Sequence, residues 1–393
     1  MNSDTGVVVL DGARTPVGRF GGAFKDVPAH ELGATAAREA LVRSEVSADE
    51  LDEVVMGCIG QVGPDAYIAR RVSLSAGVPE SIPAFSVNRL CGSGLQAIWS
   101  GSLQIRAGSA DFVLAGGTES MTRMPFYDFN ARQGMKLGDH RLVDGTLGML
   151  TDPFYDIHMG ITAENVAERY DVSRAEQDEF AVESQRRAAT AQALAVFAEE
   201  ITAVDVPGSS EPVSRDEPPR PGTTLEQLSA LRTIFKKDGT VTAGNCAGMN
   251  DGGTAVVLAN HAIAKERGLP GLATLEAVAT GAMDPGLMGY APVLALAKLF
   301  EQTGMSPDDI DTFEVNEAFA AQAIPVIRDA KLDPAKVNPY GGGIALGHAV
   351  GATAATLSLR VAKDLARRDL EWGVVTMCIG GGQALAALFR RTN

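Results

Sequence analysis

Cys91 occupies a corner of the chain. It lies in NRLCGSGLQAI, residues 88–98, between an extended run and a Gly-Ser-Gly turn that leads into an apolar helical run. At such a corner, unpaired amide N–H groups and the positive end of a helix dipole favour thiolate over thiol. The thiolate is the nucleophile. Gly92 and Gly94 carry no side chain to obstruct a substrate. A lone Cys is also a common small buried hydrophobe, so this motif by itself leaves both readings standing.

Three further positions offer complementary chemistry. His348, one of five histidines, lies in GGGIALGHAVGAT. A His beside a Cys is the usual way to activate a thiol, although a loop His can equally serve only to bond backbone. Cys378 ends the apolar run VVTMCI and precedes three glycines. A second thiol there can exchange protons with a substrate carbon, and glycine N–H groups can hold a developing oxyanion. A structural Cys in a strand is the competing reading. Asn316, in FEVNEAFAAQA, stands where a strand ends, the place where α/β ligands gather. Its amide can hold a water against an oxyanion, or simply cap a helix.

The elements that must position these groups are written twice. SADELDEVVMG (47–57) matches SPDDIDTFEVN (306–316), about 260 residues later. Each follows a helical run and leads into an apolar run suited to a buried strand. AFSVNRLCGSGLQAIWSGSLQIRAG and VNPYGGGIALGHAVGATAATLSLRVAKDL share an order: extended piece, glycine turn, helix. ADFVLAGG and WGVVTMCIGGG follow in turn. Strands alternating with helices predict parallel, buried sheets, here as two copies of one α/β unit about a pseudo-twofold axis. That symmetry brings Cys91 and His348 from matching corners to one place. Between Thr118 and Asn245 the pattern lapses, and a block this long reads as an inserted subdomain. TAVVLAN (254–260) resumes the first unit.

Bulk properties narrow the field. The 393 residues are 45% hydrophobic and 21% charged, as in a globular chain of two or three domains. The formal net charge of −15 argues against nucleic acid and anionic membranes as partners. Four scattered cysteines, with no C-x-x-C and no H-E-x-x-H, argue against zinc and against a disulfide framework. MNSDTGVVVL lacks a signal-peptide pattern and no apolar run is long enough to span a membrane, so a cytoplasmic protein is expected.

NRLCGSG, NEAFA, GIALGH and CIGGG, in this order and spacing, resemble the thiolase family, specifically short-chain acetyl-CoA acetyltransferases and β-ketothiolases. The resemblance runs nearly end to end, through GARTP, HMGITAENVAERY and TVTAGN. It implies a duplicated thiolase fold, two βαβ-type halves layered αβαβα: 1–118 plus 246–270 as the N-terminal half, 119–245 as a coenzyme A-binding loop domain, and 271–393 as the C-terminal half. It implies that Cys91 carries the acyl group, that His348 takes its proton, and that Cys378 deprotonates the α-carbon of acetyl-CoA. His348 with an Asn316-held water would form one oxyanion hole, and the N–H groups of Cys91 and Gly380 the other. Arg220, Ala243 and Ala247 match coenzyme A-binding positions; His158, Met288 and Phe319 match the acyl region. Between Arg215 and Lys237 five basic residues face three acidic ones, a local +2 that suits a polyanionic nucleotide.

The expected reaction is condensation of two acetyl-CoA, or thiolysis of short-chain 3-ketoacyl-CoA. Coenzyme A and acyl-CoA serve as substrates, with no resident cofactor, and the assembly is a homotetramer. A broader 3-ketoacyl-CoA thiolase of fatty-acid β-oxidation is the alternative, and a non-catalytic CoA-binding relative a weaker one. Decarboxylating condensing enzymes share the fold, but Cys378 and Asn316 discriminate against them. Three positions depart from the family pattern: Ala349 follows His348 where Pro is usual, Ala354 replaces Gly, and Ala247 replaces a Ser that contacts the pantetheine arm.

Overall fold

The computed structural model describes residues 6–135 and 137–392. Its main sheet contains β1 (Val7–Arg14), β2 (Glu53–Gly57), β3 (Ala84–Val87), β4 (Phe112–Ser120), β5 (Asn250–Asn260), β6 (Ala273–Ala282), β7 (Thr312–Val315), β8 (Trp372–Ile379) and β9 (Gln383–Arg391). The order is β7-β8-β9-β6-β1-β5-β4-β2-β3, with the short strand Gly18–Arg19 beside β5. The two halves meet where Val8 faces Thr274 and Val9 faces Ala273 in an antiparallel ladder. Outward from that seam, β1, β5, β4, β2 on one side correspond to β6, β9, β8, β7 on the other. Even the irregularities match: the register slips at Leu10 in β1 and at Glu276 in β6, the fourth residue of each strand. An extra residue at equivalent places in both halves is a mark of duplication.

The sheet is mixed, which corrects the expectation of parallel sheets. Parallel pairing is confined to β2–β3, β2–β4 and β7–β8. β5 runs against β1 and β4, and β9 against β6 and β8. The reason is connectivity: a helical crossover returns the chain in parallel, but the glycine turn from β8 to β9 is a hairpin and reverses it.

Two helices form the middle layer, α1 (Ser93–Arg106) and α2 (Thr353–Arg367). Leu95 and Ile98 of the first and Leu357 and Val361 of the second pack with Val55, Val113 and Val256 from one half, and with Leu275, Val375 and Leu385 from the other. The alternate residues Val54, Met56, Leu114 and Val257 face outward onto the helix Ala29–Ser44, and Val315, Val374 and Leu388 onto Pro292–Thr303. This period-two division produces five layers, αβαβα. Each fully buried aliphatic side chain contributes about 1.5–3 kcal/mol. The central helices cross closely: a Cβ at Gly94 would lie 2.6 Å from the Ala355 nitrogen and 3.2 Å from the Gly351 oxygen.

The chain between β4 and β5 carries two longer helices, α3 (Met159–Arg169) and α4 (Arg174–Ala193), among irregular segments. The second starts at a capping box formed by Ser173 and Glu176. Buried ion pairs fasten this segment to the body: Arg14 meets Glu200 at 2.8 Å and Asp216 at 2.7 Å, and Arg360 meets Glu200 at 3.1 Å. No described helix is long and apolar enough to cross a membrane.

Candidate active site

The Cys91 corner between β3 and α1 is locally braced. The Ser93 hydroxyl accepts from the Arg89 N–H at 2.9 Å and donates to the Leu90 carbonyl at 2.6 Å. Leu90 adopts a positive φ of 47°. Gly92 is required by close approach to the second half, because a Cβ there would lie 2.5 Å from Ile379 Cδ1. The corner therefore rests on the end of β8, beside Cys378 and Gly380.

Burial decides the resting state of both thiols. Cys91 is pushed up to about 11, chiefly by desolvation; the Gly380 amide and its own amide oppose that shift, and the charge of Glu119 adds to it. Helix-end amides alone favour thiolate, but they are outweighed by the loss of water around the sulfur. Cys378 is buried on β8, and its thiol is raised by desolvation and then by the nearby Cys91. Both cysteines are thus thiols at rest and need a base.

His348 and Asn316 approach from the second half. The imidazole is buried and pushed down to about 4 by desolvation, so it is neutral near pH 7. The Asn250 side-chain oxygen accepts the His348 N–H at 2.9 Å. His348 Nδ1 lies 2.8 Å from the Thr353 hydroxyl, and that hydroxyl donates to the Ala349 carbonyl at 2.9 Å. A hydroxyl has one proton, so Oγ1 accepts from Nδ1–H. The other nitrogen, Nε2, then bears the lone pair, 3.5 Å from Asn316 Nδ2. The ring's side-chain bonds go to Thr353 and Asn316; among the described residues none goes to Cys91. Asn316 Oδ1 is buried without a partner, as suits an amide waiting for water or substrate. The bonds from Asn250 and within the 349–353 turn hold the His348 loop although Ala349 stands in place of Pro.

The other sequence-predicted positions fall into two groups. Met288, Phe319 and Cys378 share an apolar cluster with Met159, Phe235 and Cys246. His158 lies at its edge, capping α3 by accepting the Gly160 N–H at 3.0 Å and stacking on Phe235 at 4.7 Å. Arg220 and Ala243 line a separate cavity of about 520 Å³ with Gln185, Cys246, Gly248 and Met249. Ala247 is not on its wall. It lies between two lining residues, and its N–H donates to the Ala318 carbonyl at 2.9 Å. The local excess of positive charge is redistributed: Asp216 is neutralised by Arg14 and Lys236 pairs with Glu168 at 2.9 Å.

Sequence reasoning missed Thr353, Asn250 and Glu119. Thr353 and Asn250 gave no local signal, because each matters only through a loop folded against it. Glu119 gave one: it is the lone acidic residue in the otherwise uncharged, fully buried strand FVLAGGTES.

Comparison with known proteins agrees with this geometry. Residues 7–262 match the model of the thiolase N-terminal domain and residues 269–391 that of the thiolase C-terminal domain. The chain is 48% identical over 389 residues to beta-ketothiolase BktB of Cupriavidus necator, covering 98% of this chain and 99% of that protein. It is 46% identical over 388 residues to a probable acetyl-CoA acyltransferase of Staphylococcus aureus, covering 98% of each. Among solved structures, human mitochondrial 3-ketoacyl-CoA thiolase in complex with CoA superposes with a TM-score of 0.95 at 41% identity, covering 98% of both chains. The Bacillus anthracis acetyl-CoA acetyltransferase does so with a TM-score of 0.97 at 38% identity, covering 100% of both. With both domains matched in order and these relatives aligned along nearly their whole length, the chain belongs to the thiolase family.

Proposed function

We propose that this thiolase, an acyltransferase, runs its reaction through an acyl-enzyme on Cys91, condensing two acetyl-CoA to acetoacetyl-CoA and CoA or cleaving short-chain 3-ketoacyl-CoA in reverse. The observation that carries this reading is the pair of neighbouring thiols from different halves, supported by a neutral His whose basic nitrogen faces an amide.

In the first step His348 Nε2 takes the Cys91 proton. The thiolate attacks the thioester carbon and the bond to the CoA sulfur breaks; that sulfur leaves with the Cys378 proton, so Cys378 becomes a thiolate while His348 keeps the proton of Cys91. In the second step Cys378, as thiolate, removes an α-proton from a second acetyl-CoA. The enolate attacks the acyl carbon and Cys91 departs as thiolate, to be reprotonated. Asn316 and His348 stabilise one oxyanion, and the amides of Cys91 and Gly380 the other. The Gly380 amide beside the Cys91 sulfur supports the second assignment.

Arg220 and Ala243 bind coenzyme A in the cavity between residues 185 and 250, with Ala247 beside the pantetheine path. His158, Met288 and Phe319 border the acyl group. Coenzyme A enters and leaves as substrate and no cofactor stays bound. Cleavage of longer 3-ketoacyl-CoA is the second reading, supported by the likeness to human mitochondrial 3-ketoacyl-CoA thiolase. We take 119–245 as the coenzyme A-binding loop domain, with 1–118 plus 246–270 and 271–393 as the halves. We also take the enzyme to be a cytoplasmic homotetramer without nucleic-acid or membrane partners. Four free cysteines suit a reducing compartment. Phe126, Phe129, Leu142 and Phe154, all more than half exposed, suit contact with further subunits.

Incubation with acetyl-CoA, digestion and mass spectrometry tests the central assignment: acetyl is expected on the Cys91 peptide. Acetyl found only on Cys378 or Cys246 overturns it. Rates with acetoacetyl-CoA against longer 3-ketoacyl-CoA, with free CoA, decide between the two substrate readings.

A further inference from the structure

Glu119 is almost fully buried at the end of β4, yet two segments of the chain turn toward its carboxylate. The Ile59 and Gly60 amides donate to it at 2.9 and 3.0 Å, and the Cys58 thiol at 3.4 Å. The Gly351 amide donates from the far side. Gly351 lies between His348 and Thr353, in the turn that holds the imidazole. The carboxylate, with Met124 beside Gly60 and the Thr118 carbonyl beside Gly351, leaves no room for a side chain at two glycines. A Cβ at Gly351 would lie 2.6 Å from Glu119 Oε2, and a Cβ at Gly60 would lie 2.8 Å from Oε1. The Gly351 carbonyl, in turn, sits against Gly94 three residues after Cys91. The Cys91 corner, the His348 turn and the 58–60 loop are therefore packed about one acidic group.

We propose that Glu119 is a positioning residue for the thiolase reaction, its buried carboxylate tying the His348 turn to the Cys91 corner. This rests on the assignment of Cys91 as the nucleophile. The charge of that carboxylate adds to the burial that keeps the resting Cys91 thiol protonated. The titratable groups that sense Glu119 are Cys58 on the facing loop, which also senses Asp65, and Cys91 at the α1 corner. Burial raises the Glu119 carboxyl to about 7 against four donors that lower it, so it is substantially ionised at mildly alkaline pH.

Two variants separate charge from reach. Glu119→Gln keeps the length and removes the charge. Glu119→Asp keeps the charge and shortens the arm. The assay is alkylation of Cys91 by iodoacetamide across pH in the intact enzyme, read by peptide mass spectrometry, alongside kcat and KM. Glu119→Gln is expected to lower the Cys91 midpoint by a fraction of a unit, so alkylation near pH 8 rises about twofold, while kcat falls and the KM for CoA holds. Glu119→Asp is expected to leave the midpoint in place while kcat falls. A more acidic thiol in a slower enzyme is a result that simple loosening of the fold does not give. Cys58→Ala removes one donor to the carboxylate without altering its length, and the midpoint should fall again, by less; this variant serves if Gln does not fold. An unchanged or raised midpoint in these charge-weakening variants overturns the proposal. Acetyl trapped on another residue would refute the Cys91 assignment while leaving this titration measurable, so the two failures are distinguishable.

Discussion

Replacing Thr353 by Val tests how His348 is prepared. The hydroxyl accepts from Nδ1–H at 2.8 Å and donates to the Ala349 carbonyl, and both side chains are under 10% exposed. Val keeps the β-branched shape but supplies no acceptor. If the ring keeps its proton on Nδ1, a buried donor goes unsatisfied, at a cost of about 1–3 kcal/mol. If the proton moves to Nε2, that cost disappears, but so does the lone pair facing Asn316, and the base is lost. Either outcome lowers the productive population by the same order, so kcat should fall about 5- to 150-fold. Thr353 does not line the cavity bordered by Arg220 and Ala243, so the KM for CoA should change by less than about twofold. Steady-state thiolysis of acetoacetyl-CoA with free CoA measures both constants. Thr353→Ser restores the hydroxyl and should recover most of the rate. A Val variant whose kcat lies within about threefold of the parent would show that the hydroxyl does not select the tautomer, and the derivation of the basic nitrogen would fail.

Three other outcomes are expected. Cys378→Ala should still accept acetyl on Cys91 but lose condensation, since only α-proton removal lacks its base; near-normal condensation would assign that base elsewhere. Ala247→Ser adds a hydroxyl beside the proposed pantetheine path and should lower the KM for CoA substrates by roughly two- to tenfold with kcat unchanged, because one neutral hydrogen bond is worth about 0.5–1.5 kcal/mol; an unchanged KM would mean that the position does not reach the cofactor. Burial raises the Glu314 carboxyl to about 8 in the folded chain despite Arg360 3.6 Å away. Its unfolded value is about 4.5, so the folded form holds the proton more tightly, and stability present below that value is lost as pH rises through about 8. Glu314→Gln should remove that loss, and urea midpoints compared near pH 5 and about pH 9 would show the parent falling more steeply than the variant.

The sequence by itself determined the candidate catalytic set. Cys91, His348, Cys378 and Asn316 each stand next to a glycine turn or at a strand end, and the repeat S-x-D-x-(L/I)-D exposed the duplication, from which their convergence is expected. These signals are local: a corner, a glycine or a period is written in neighbouring residues. The tertiary structure alone decided strand direction and charge state. β9 runs antiparallel because a tight glycine turn reverses the chain, and β5 because the chain re-enters the sheet from the long segment after β4, neither of which periodicity records. The helix-end position of Cys91 predicted a thiolate, yet the site holds a thiol, because the water removed by Ile379, Leu90 and the second half of the sheet outweighs two amides. Thr353 was invisible as a functional group, and Glu119 showed only as a lone acid in a buried strand, for the same reason. Their roles come from loops about five residues or hundreds of residues away in the chain, and only packing brings those loops to them.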